Sequence, residues 1–305
     1  MNGLETLKIE LKDRCPALEL REEEPMSKHT SFRIGGPVKL MALPKTDAEV
    51  VQTVQSAKAL GIEPIFIGNG SNLLVADRGV DGFIVKAGEG LGSLEQTGEN
   101  AVCLGAGTLL SRAACFARDR GLTGLEFAHG IPGSIGGAVT MNAGAYGGEM
   151  ADVVERVTCV RPDGGLEVYS GENLAFGYRK SVFEGGKAFI LSVTVRLSPG
   201  DKESIAQRIN ELSRRRREKQ PLEYPSAGST FKRPAGGYAA ALIDSCGLKG
   251  YRVGGAQVSE KHAGFIVNLG GASCDDVMRV MSHVYETVLG ATGIRLEPEV
   301  KLLGV

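Results

Sequence analysis

Eight glycines fall between Gly124 and Met150, in the stretch GLEFAHGIPGSIGGAVTMNAGAYGGEM, interleaved with Pro132, Ser134, Asn142 and Tyr146. Each position without a Cβ costs chain entropy that an ordinary loop avoids. Such density excludes a long regular helix or strand. It favours a backbone that a polar, planar or phosphorylated ligand can approach closely, and the alternative is a series of tight turns at a sheet edge.

A chain of 305 residues with 42% hydrophobic content buries a large core and exceeds one ordinary domain. Its 43 glycines carry no collagen period, which points to a turn-rich protein of mixed helix and strand with ligand loops. The 35 basic against 36 acidic residues argue against a general nucleic-acid or membrane-surface binder, so an anion site has to be local. Cys15, Cys103, Cys115, Cys159, Cys246 and Cys274 are scattered without a C-x-x-C pair or a His at metal-ligand spacing. They read as reduced thiols, and no metal site is expected. The N-terminus has no apolar signal core and no stretch reaches the roughly 20 apolar residues of a membrane span, so a cytoplasmic address is expected.

Along the chain, Leu4, Leu7, Ile9 and Leu11 fit a short helix and Val38–Leu43 reads as a strand. Thr46 and Glu49 form a capping-box pattern ahead of the stripe Val50, Val51, Val54, Ala57, Leu60, which Gly61 stops. Thr108 is placed to cap a helix through Ala117, and strands are expected at Val153–Val160, Leu166–Tyr169 and Phe189–Leu197. Pro199-Gly200 breaks the last of these. A helix follows, from Asp201 to the basic run Arg214–Lys219, and marks a domain junction. Helices are predicted again at Ala239–Cys246 and, behind Ser273, at Cys274–Leu289. In the closing segment Ile294–Leu302, strand alternation puts Arg295, Glu297, Glu299 and Lys301 on one face and Leu296, Val300 and Leu302 on the other.

The loop Gly68-Asn69-Gly70-Ser71-Asn72 separates phosphate-binding folds. It follows the strand Ile65–Ile67 and runs straight into another, Leu73–Val75. A Rossmann unit or P-loop opens a helix at this point, because the helix N-terminus supplies the amides. A turn of successive N–H groups with Asn and Ser donors can still nest an anion, and a plain hairpin turn is the competing reading. Elsewhere, Arg179 and Lys180 read as a solvated pair, the arginines near Lys219 as a dipole-matched helix end or a diphosphate clamp, and PSAGSTFKRP lacks the G-x-S-x-G elbow of a serine nucleophile.

The motifs TSFRIGG, IGNGSNLLV, LEFAHGIPGSIGGAVTMNAGAYGGE, YRKS, PSAGSTFKRP, AGFIVN and LEPEV, in that order, resemble the family of UDP-N-acetylenolpyruvoylglucosamine reductases from about residue 29 onward. The resemblance implies an α+β chain: an N-terminal segment 1–32, a two-lobed FAD-binding domain of the vanillyl-alcohol oxidase (PCMH) type at 33–199, with lobes about 33–87 and 88–199, and a smaller α+β substrate-binding domain at 200–305, whose last strand 294–303 returns to the active site. It implies FAD as cofactor and NADPH as electron donor. The small-molecule substrate is UDP-N-acetylglucosamine-enolpyruvate, reduced for peptidoglycan synthesis and hence for cell shape and division.

By motif, the resemblance assigns cofactor contacts to Arg33, to Gly68, Asn69, Gly70, Ser71 and Asn72 on the pyrophosphate, and to Gly130, Ile131, Pro132, Gly133, Ser134, Gly136, Gly137, Asn142, Ala143 and Gly144 along the pyrophosphate and flavin. Ser229 becomes the acid that protonates C2, while Arg179 and Glu299 bind and polarise the enolpyruvyl carboxylate. Tyr178, Arg215, Lys219, Gly228 and Lys232 are assigned to substrate, with Arg215 and Arg216 as alternatives for the work of Lys219. Only 49 residues separate Arg179 from Ser229, which resembles the shorter branch of the family without its tyrosine-bearing lid. Tyr178 and the basic helix end are then expected to cover the nucleotide. A monomer without nucleic-acid or membrane partners is expected. The competing classes are another FAD oxidase of the same fold and a non-catalytic nucleotide-binding protein.

Overall fold

The computed structural model describes residues 3–305. Two hydrophobic cores divide the chain between two compact units. The first consists of Met1–Glu22, Lys39–Asn69 and Gly82–Arg215, and the second of Glu23–Val38, Gly70–Asp81 and Arg216–Val305. The sequence suggests consecutive blocks, 1–32, 33–199 and 200–305; the units interleave instead. The cause is where the backbone hydrogen bonds of the two short segments go. Ser31 donates to the Gly70 carbonyl (3.2 Å), Gly36 to that of Ala76 (2.9 Å), and Lys301, from the far end of the chain, to that of Asn72 (2.9 Å).

In the first unit, helix α1 (Gly3–Arg14) turns Leu7 and Leu11 inward and leaves Ile9 about half exposed. A four-stranded sheet has the order Glu19–Pro25, Pro37–Leu43, Val80–Lys86, Pro64–Ile67. Helix α2 (Asp47–Ala59) starts at Thr46, whose hydroxyl accepts the Glu49 N–H (3.2 Å). The Glu49 carboxylate accepts the N–H of Lys45 (2.6 Å) rather than that of Thr46, so the predicted box is offset by one residue. A five-stranded antiparallel sheet follows, in the order Leu166–Ser170, Val154–Val160, Phe189–Arg196, Ala101–Gly105, Leu94–Gln96. Helix α3 (Leu110–Asp119) starts behind Leu109. Thr108, the predicted cap, is buried and donates instead to the Ser93 carbonyl (2.9 Å). Helix α4 (Ile135–Thr140) lies inside the glycine-dense stretch. Helix α5 (Lys202–Lys219) is capped by Asp201, which accepts the Ser204 N–H (2.8 Å), and the boundary between the units falls inside it. Val54, Phe83, Leu104, Leu110, Val157 and Val193 are among the fully buried side chains of this core, each worth roughly 1.5–3 kcal/mol of apolar burial.

The second unit is built on an antiparallel sheet in the order Ser226–Ser229, Phe265–Asn268, Ala256–Val258, Arg252–Val253. Helix α6 (Ala239–Ser245) and helix α7 (Cys274–Thr292) belong to it. The α7 stripe Val277, Val280, Val284, Val288 packs into one core with Ile266, Phe32, Ile34 and Leu74. Ser273 and Asp276 close a reciprocal capping box, and the Asp77 carboxylate accepts the N–H groups of Cys274 (2.8 Å) and Asp275 (3.1 Å). The predicted C-terminal strand shrinks to Lys301–Leu303, parallel to Leu73–Val75. Its predicted faces fail as well: Glu299 and Val300 are both buried and Leu302 is 42% exposed. Pro298 offers no N–H, and the Glu299 N–H turns to the Thr230 carbonyl (2.8 Å), which breaks the two-residue period before the strand begins.

Candidate functional site

Strand, glycine turn, strand is the order found at GNGSN: Pro64–Ile67 leads into the loop and Leu73–Val75 leaves it. Gly68 and Asn69 belong to the first unit, Gly70, Ser71 and Asn72 to the second. In the first unit, a Cβ at Gly68 would lie 2.6 Å from Ser134 Oγ and 3.6 Å from the Gly137 nitrogen. Ser134 Oγ is buried and has no hydrogen-bond partner among the described residues. An unpaired donor is costly, about 1–3 kcal/mol, unless something satisfies it. A hydroxyl donor beside two half-buried glycines is complementary to a phosphate oxygen, and a dinucleotide pyrophosphate fits the residues present.

The glycine-dense stretch divides into several elements. A 3₁₀ turn (Glu126–Ala128) leads to half-buried Gly130 and Ile131, exposed Pro132 and half-buried Gly133, whose carbonyl accepts the Leu110 N–H (3.0 Å). Then come α4 and the hairpin Gly144–Ala145 with Gly148–Glu149. Packing by itself requires some of these glycines. A Cβ at Gly136 would stand 3.0 Å from that of Ala106, and one at Gly148 would stand 2.8 Å from the Phe127 ring. Close packing thus accounts for part of the density, beside the ligand approach and the tight turns that the sequence suggests.

Asn142, which the resemblance assigns to the cofactor, is held by two internal hydrogen bonds. It has no exposed surface, its Nδ2 donates to the Gly177 carbonyl (3.0 Å), and its Oδ1 accepts the Ala151 N–H (2.9 Å). Ala143, also assigned to the cofactor, is 4% exposed and donates its N–H to the Ala138 carbonyl (2.8 Å). Gly177 opens a tight turn: it exchanges N–H···O bonds with Lys180 (3.0 and 3.1 Å), with Tyr178 and Arg179 at the tip. Buried Ser181 donates to the Thr140 carbonyl (2.7 Å) and ties the other side of the turn to the end of α4. The YRKS turn is thus seated on the glycine-dense segment by two side-chain bonds. Arg179 holds φ +55°, and its guanidinium lies 5.4 Å from the Tyr178 ring centroid.

Positive φ at a non-glycine residue marks stored strain, which concentrates at functional positions. Arg33, Asn142, Tyr146 and Arg179 all have it, and all stand in the motifs singled out above. Nothing in the residue types announces it. Arg33 is exposed, and its neighbour is anchored: Asn268 Nδ2 donates to the Phe32 carbonyl (3.0 Å), while Asn268 Oδ1 accepts the N–H groups of Gly270 (2.9 Å) and Ala272 (3.1 Å). Sequence reasoning gave Asn268 no role of its own; an Asn closing an apolar strand was the available signal.

The second unit brings Ser229 and Glu299 together. Ser229 ends a strand whose register with Phe265–Asn268 shifts between Ser226 and Ser229, where Gly228 takes φ +76° and makes the irregularity possible. Thr230, next to Ser229, is locked by its N–H to the Gly264 carbonyl (2.8 Å) and by accepting the Ile266 N–H at its hydroxyl (3.2 Å). Its carbonyl receives the Glu299 N–H (2.8 Å), and Phe231 bridges Pro298. Glu299 is 7% exposed, whereas Glu297 is exposed and its carboxylate is ion-paired with Lys232. Asn72 Nδ2 donates to the Glu299 carbonyl (3.1 Å). Ser229 is half-buried and its hydroxyl has no hydrogen bond among the described residues.

The side chains assigned to substrate differ in their surroundings. Lys232 is engaged by Glu297, and Arg215 by Glu211 (2.5 Å) one helical turn earlier, an exposed pair that solvent screens. Lys219 is exposed at the end of α5, and Arg216 is the buried arginine of the run. Tyr178 is 55% exposed. The cysteines form no disulfide among the described residues, and burial pushes the thiols of Cys159 and Cys274 up to about 11, away from reactivity. No cluster of metal-ligating side chains occurs among the described residues, and no helix there is long and apolar enough to cross a membrane.

Residues 38–170 match the family described as FAD binding domain, and residues 220–303 match the family described as UDP-N-acetylenolpyruvoylglucosamine reductase, C-terminal domain. The fold is α+β, an FAD-binding domain of the vanillyl-alcohol oxidase type followed by a smaller C-terminal domain, and it places the chain in the class of FAD-binding oxidoreductases. Relatives named UDP-N-acetylenolpyruvoylglucosamine reductase extend over nearly the whole chain. That of Agathobacter rectalis is 47% identical, covering 96% of each chain, and that of Clostridium kluyveri is 46% identical, covering 100% of this chain and 99% of the relative. A crystal structure of the reductase (MurB) from Thermus caldophilus superposes with a TM-score of 0.80 at 39% identity, covering 94% of this chain and 98% of that one. The chain belongs to the UDP-N-acetylenolpyruvoylglucosamine reductase family.

Proposed function

We propose that this protein reduces UDP-N-acetylglucosamine-enolpyruvate to UDP-N-acetylmuramate in the cytoplasm, for peptidoglycan synthesis, with NADPH as electron donor. The observation that carries this reading is the Ser229–Glu299 arrangement. A hydroxyl without a hydrogen-bond partner among the described residues stands one residue from the carbonyl that holds the Glu299 backbone, and Glu299 is buried. Ser134, Gly68 and Gly137 would hold the pyrophosphate of FAD, with Gly70 and Ser71 continuing the loop. When bound and reduced by NADPH, FAD would supply the hydride for C3 of the enolpyruvyl group.

The chain's own residues meet the charge problem that follows. Hydride addition at C3 leaves negative charge on C2 and the carboxylate. Arg179 binds that carboxylate as a planar bidentate donor. Glu299, in its protonated form, donates a hydrogen bond to the growing anion, and donors fixed before the reaction avoid the cost of reorganising solvent. Ser229 then gives its hydroxyl proton to C2. Lys219 and Arg216 supply cations for the diphosphate.

The test is a set of spectra on purified protein. A yellow protein bleached by NADPH under anaerobic conditions, with colour restored by UDP-N-acetylglucosamine-enolpyruvate, supports the reading. Restoration by oxygen and not by the enolpyruvyl compound would make it an oxidase. A protein that stays colourless after incubation with FAD would leave only a nucleotide-binding role.

A further inference from the structure

Asn72 closes the GNGSN loop, yet its side chain faces a different part of the chain. Nδ2 donates to the backbone carbonyl of Glu299 (3.1 Å), 227 residues away. The Asn72 carbonyl accepts the N–H of Lys301 (2.9 Å), which starts the parallel pairing of Lys301–Leu303 with Leu73–Val75. On its other side, Glu299 gives its N–H to the Thr230 carbonyl (2.8 Å), and Thr230 is itself fixed by Gly264 and Ile266. The backbone of Glu299 is thus fastened at both of its own polar groups. Regular strand pairing begins only at Lys301, so the bond from Asn72 replaces the ladder bond that the Glu299 carbonyl would have had in a strand.

We infer that Asn72 is a positioning residue for the Glu299 carboxyl, and that it acts through the Glu299 backbone. The inference rests on the proposed role of Glu299. With both backbone groups of Glu299 held, only its side-chain torsions remain to be set. Releasing the carbonyl lets the segment Pro298–Val300 drift, and a displacement of about 1 Å at a reacting group costs on the order of 100-fold in rate.

The experiment compares wild type, Asn72→Ala, Asn72→Asp, Glu299→Ala and the double variant Asn72→Ala/Glu299→Ala. Asn72→Asp keeps the shape, removes the donor and sets a carboxylate against the carbonyl. Flavin content per chain, FAD affinity by fluorescence quenching, bleaching by NADPH, and return of colour on adding UDP-N-acetylglucosamine-enolpyruvate are each measured. The expected result for both Asn72 variants is unchanged flavin content and affinity, bleaching within about twofold of wild type, and a return of colour slowed roughly 10- to 100-fold. In the Glu299→Ala background the Asn72 change then adds less than about twofold, because the two residues act as one unit.

Loss of FAD affinity or of NADPH bleaching in step with the slowed return of colour would make Asn72 a cofactor ligand and overturn the inference. Full additivity with Glu299→Ala, or Asn72 variants indistinguishable from wild type, would overturn it too. If Asn72→Ala does not fold, the shape-preserving Asn72→Asp carries the same comparison. A wild type that shows no colour return at all sinks the proposed function itself, which separates that failure from this one.

Discussion

Asn142 donates to the carbonyl of Gly177, 35 residues further along, and this bond of 3.0 Å holds the turn that carries Arg179. Asn142→Leu takes from the Ala151 N–H its acceptor and from the Gly177 carbonyl one of its two donors, the other being the Lys180 N–H, at a cost of about 1–3 kcal/mol. The expected outcome is a clear fall in melting temperature, together with weaker substrate binding as Arg179 loses its seat. Thermal unfolding followed by circular dichroism, with the substrate Michaelis constant measured alongside, checks both. An unchanged melting temperature would show that the bond contributes nothing.

Ser229→Ala removes the proposed acid and touches no hydrogen bond among the described residues. Folding, flavin content and NADPH bleaching are expected to stay as in wild type. The return of colour on adding the enolpyruvyl substrate is expected to slow by roughly 10²–10⁴, the usual worth of a positioned acid. Stopped-flow absorbance of the two half-reactions reads this, and equal slowing of both would remove Ser229 from its role.

Ser134→Ala should act with opposite signs in two measurements. Without FAD the variant loses a buried hydroxyl that has no partner among the described residues, so the protein becomes more stable by about 1 kcal/mol. With FAD it loses a donor to the pyrophosphate, and the dissociation constant rises about three- to tenfold. The chain contains no tryptophan, so flavin fluorescence can be followed with little protein background. A change of the same sign in both would disprove the proposed contact. Gly68→Ala, whose Cβ would sit 2.6 Å from Ser134 Oγ, should weaken FAD binding, and adding Ser134→Ala should recover part of the loss.

Acid should loosen the second unit before carboxylates titrate. His262 packs edge-on to Phe265 (4.9 Å between centroids) and accepts the Gly264 N–H at Nδ1 (3.2 Å); burial first, then Lys249 nearby, holds its ring below the ordinary value of 6.5. A group whose folded value is depressed binds fewer protons folded than unfolded. Its contribution is therefore fully present above about pH 6.5 and is lost as the pH falls through the folded value. Asp276, held low chiefly by the Ser273 N–H, adds a second loss at more acidic pH by the same sign. Urea midpoints measured at pH 7.5 and 5.5 should fall for wild type and fall less for His262→Gln. Equal falls would assign the acid sensitivity elsewhere.

Helices α2, α5 and α7 were legible because cap and stripe agree: Thr46, Asp201 and Ser273 each accept the backbone N–H three residues on. The GNGSN loop between two strands was legible from the order of the runs. Helix α4 was not, because Gly136 and Gly137 weigh against helix, and what retains Gly136 is the close approach of Ala106. The burial of Glu299 was hidden for a different reason. Its direction is set by Thr230 and Asn72, far away in sequence, and no local period reports such partners. The same holds for Asn142, whose residue type fits a ligand loop as well as the internal tie it makes.

The parallel pair formed by Leu73–Val75 and Lys301–Leu303 bears on how the protein is made. A ribosome releases the first of these strands long before the second exists, and Phe32, Ile34 and Leu74 must likewise wait for the valines of α7. Contacts between such distant parts of a chain form slowly and leave apolar surface open meanwhile. A nascent chain halted before residue 301 would therefore hold the second unit unfinished, and an isolated fragment 220–303 would lack the strand and the three side chains that complete its core.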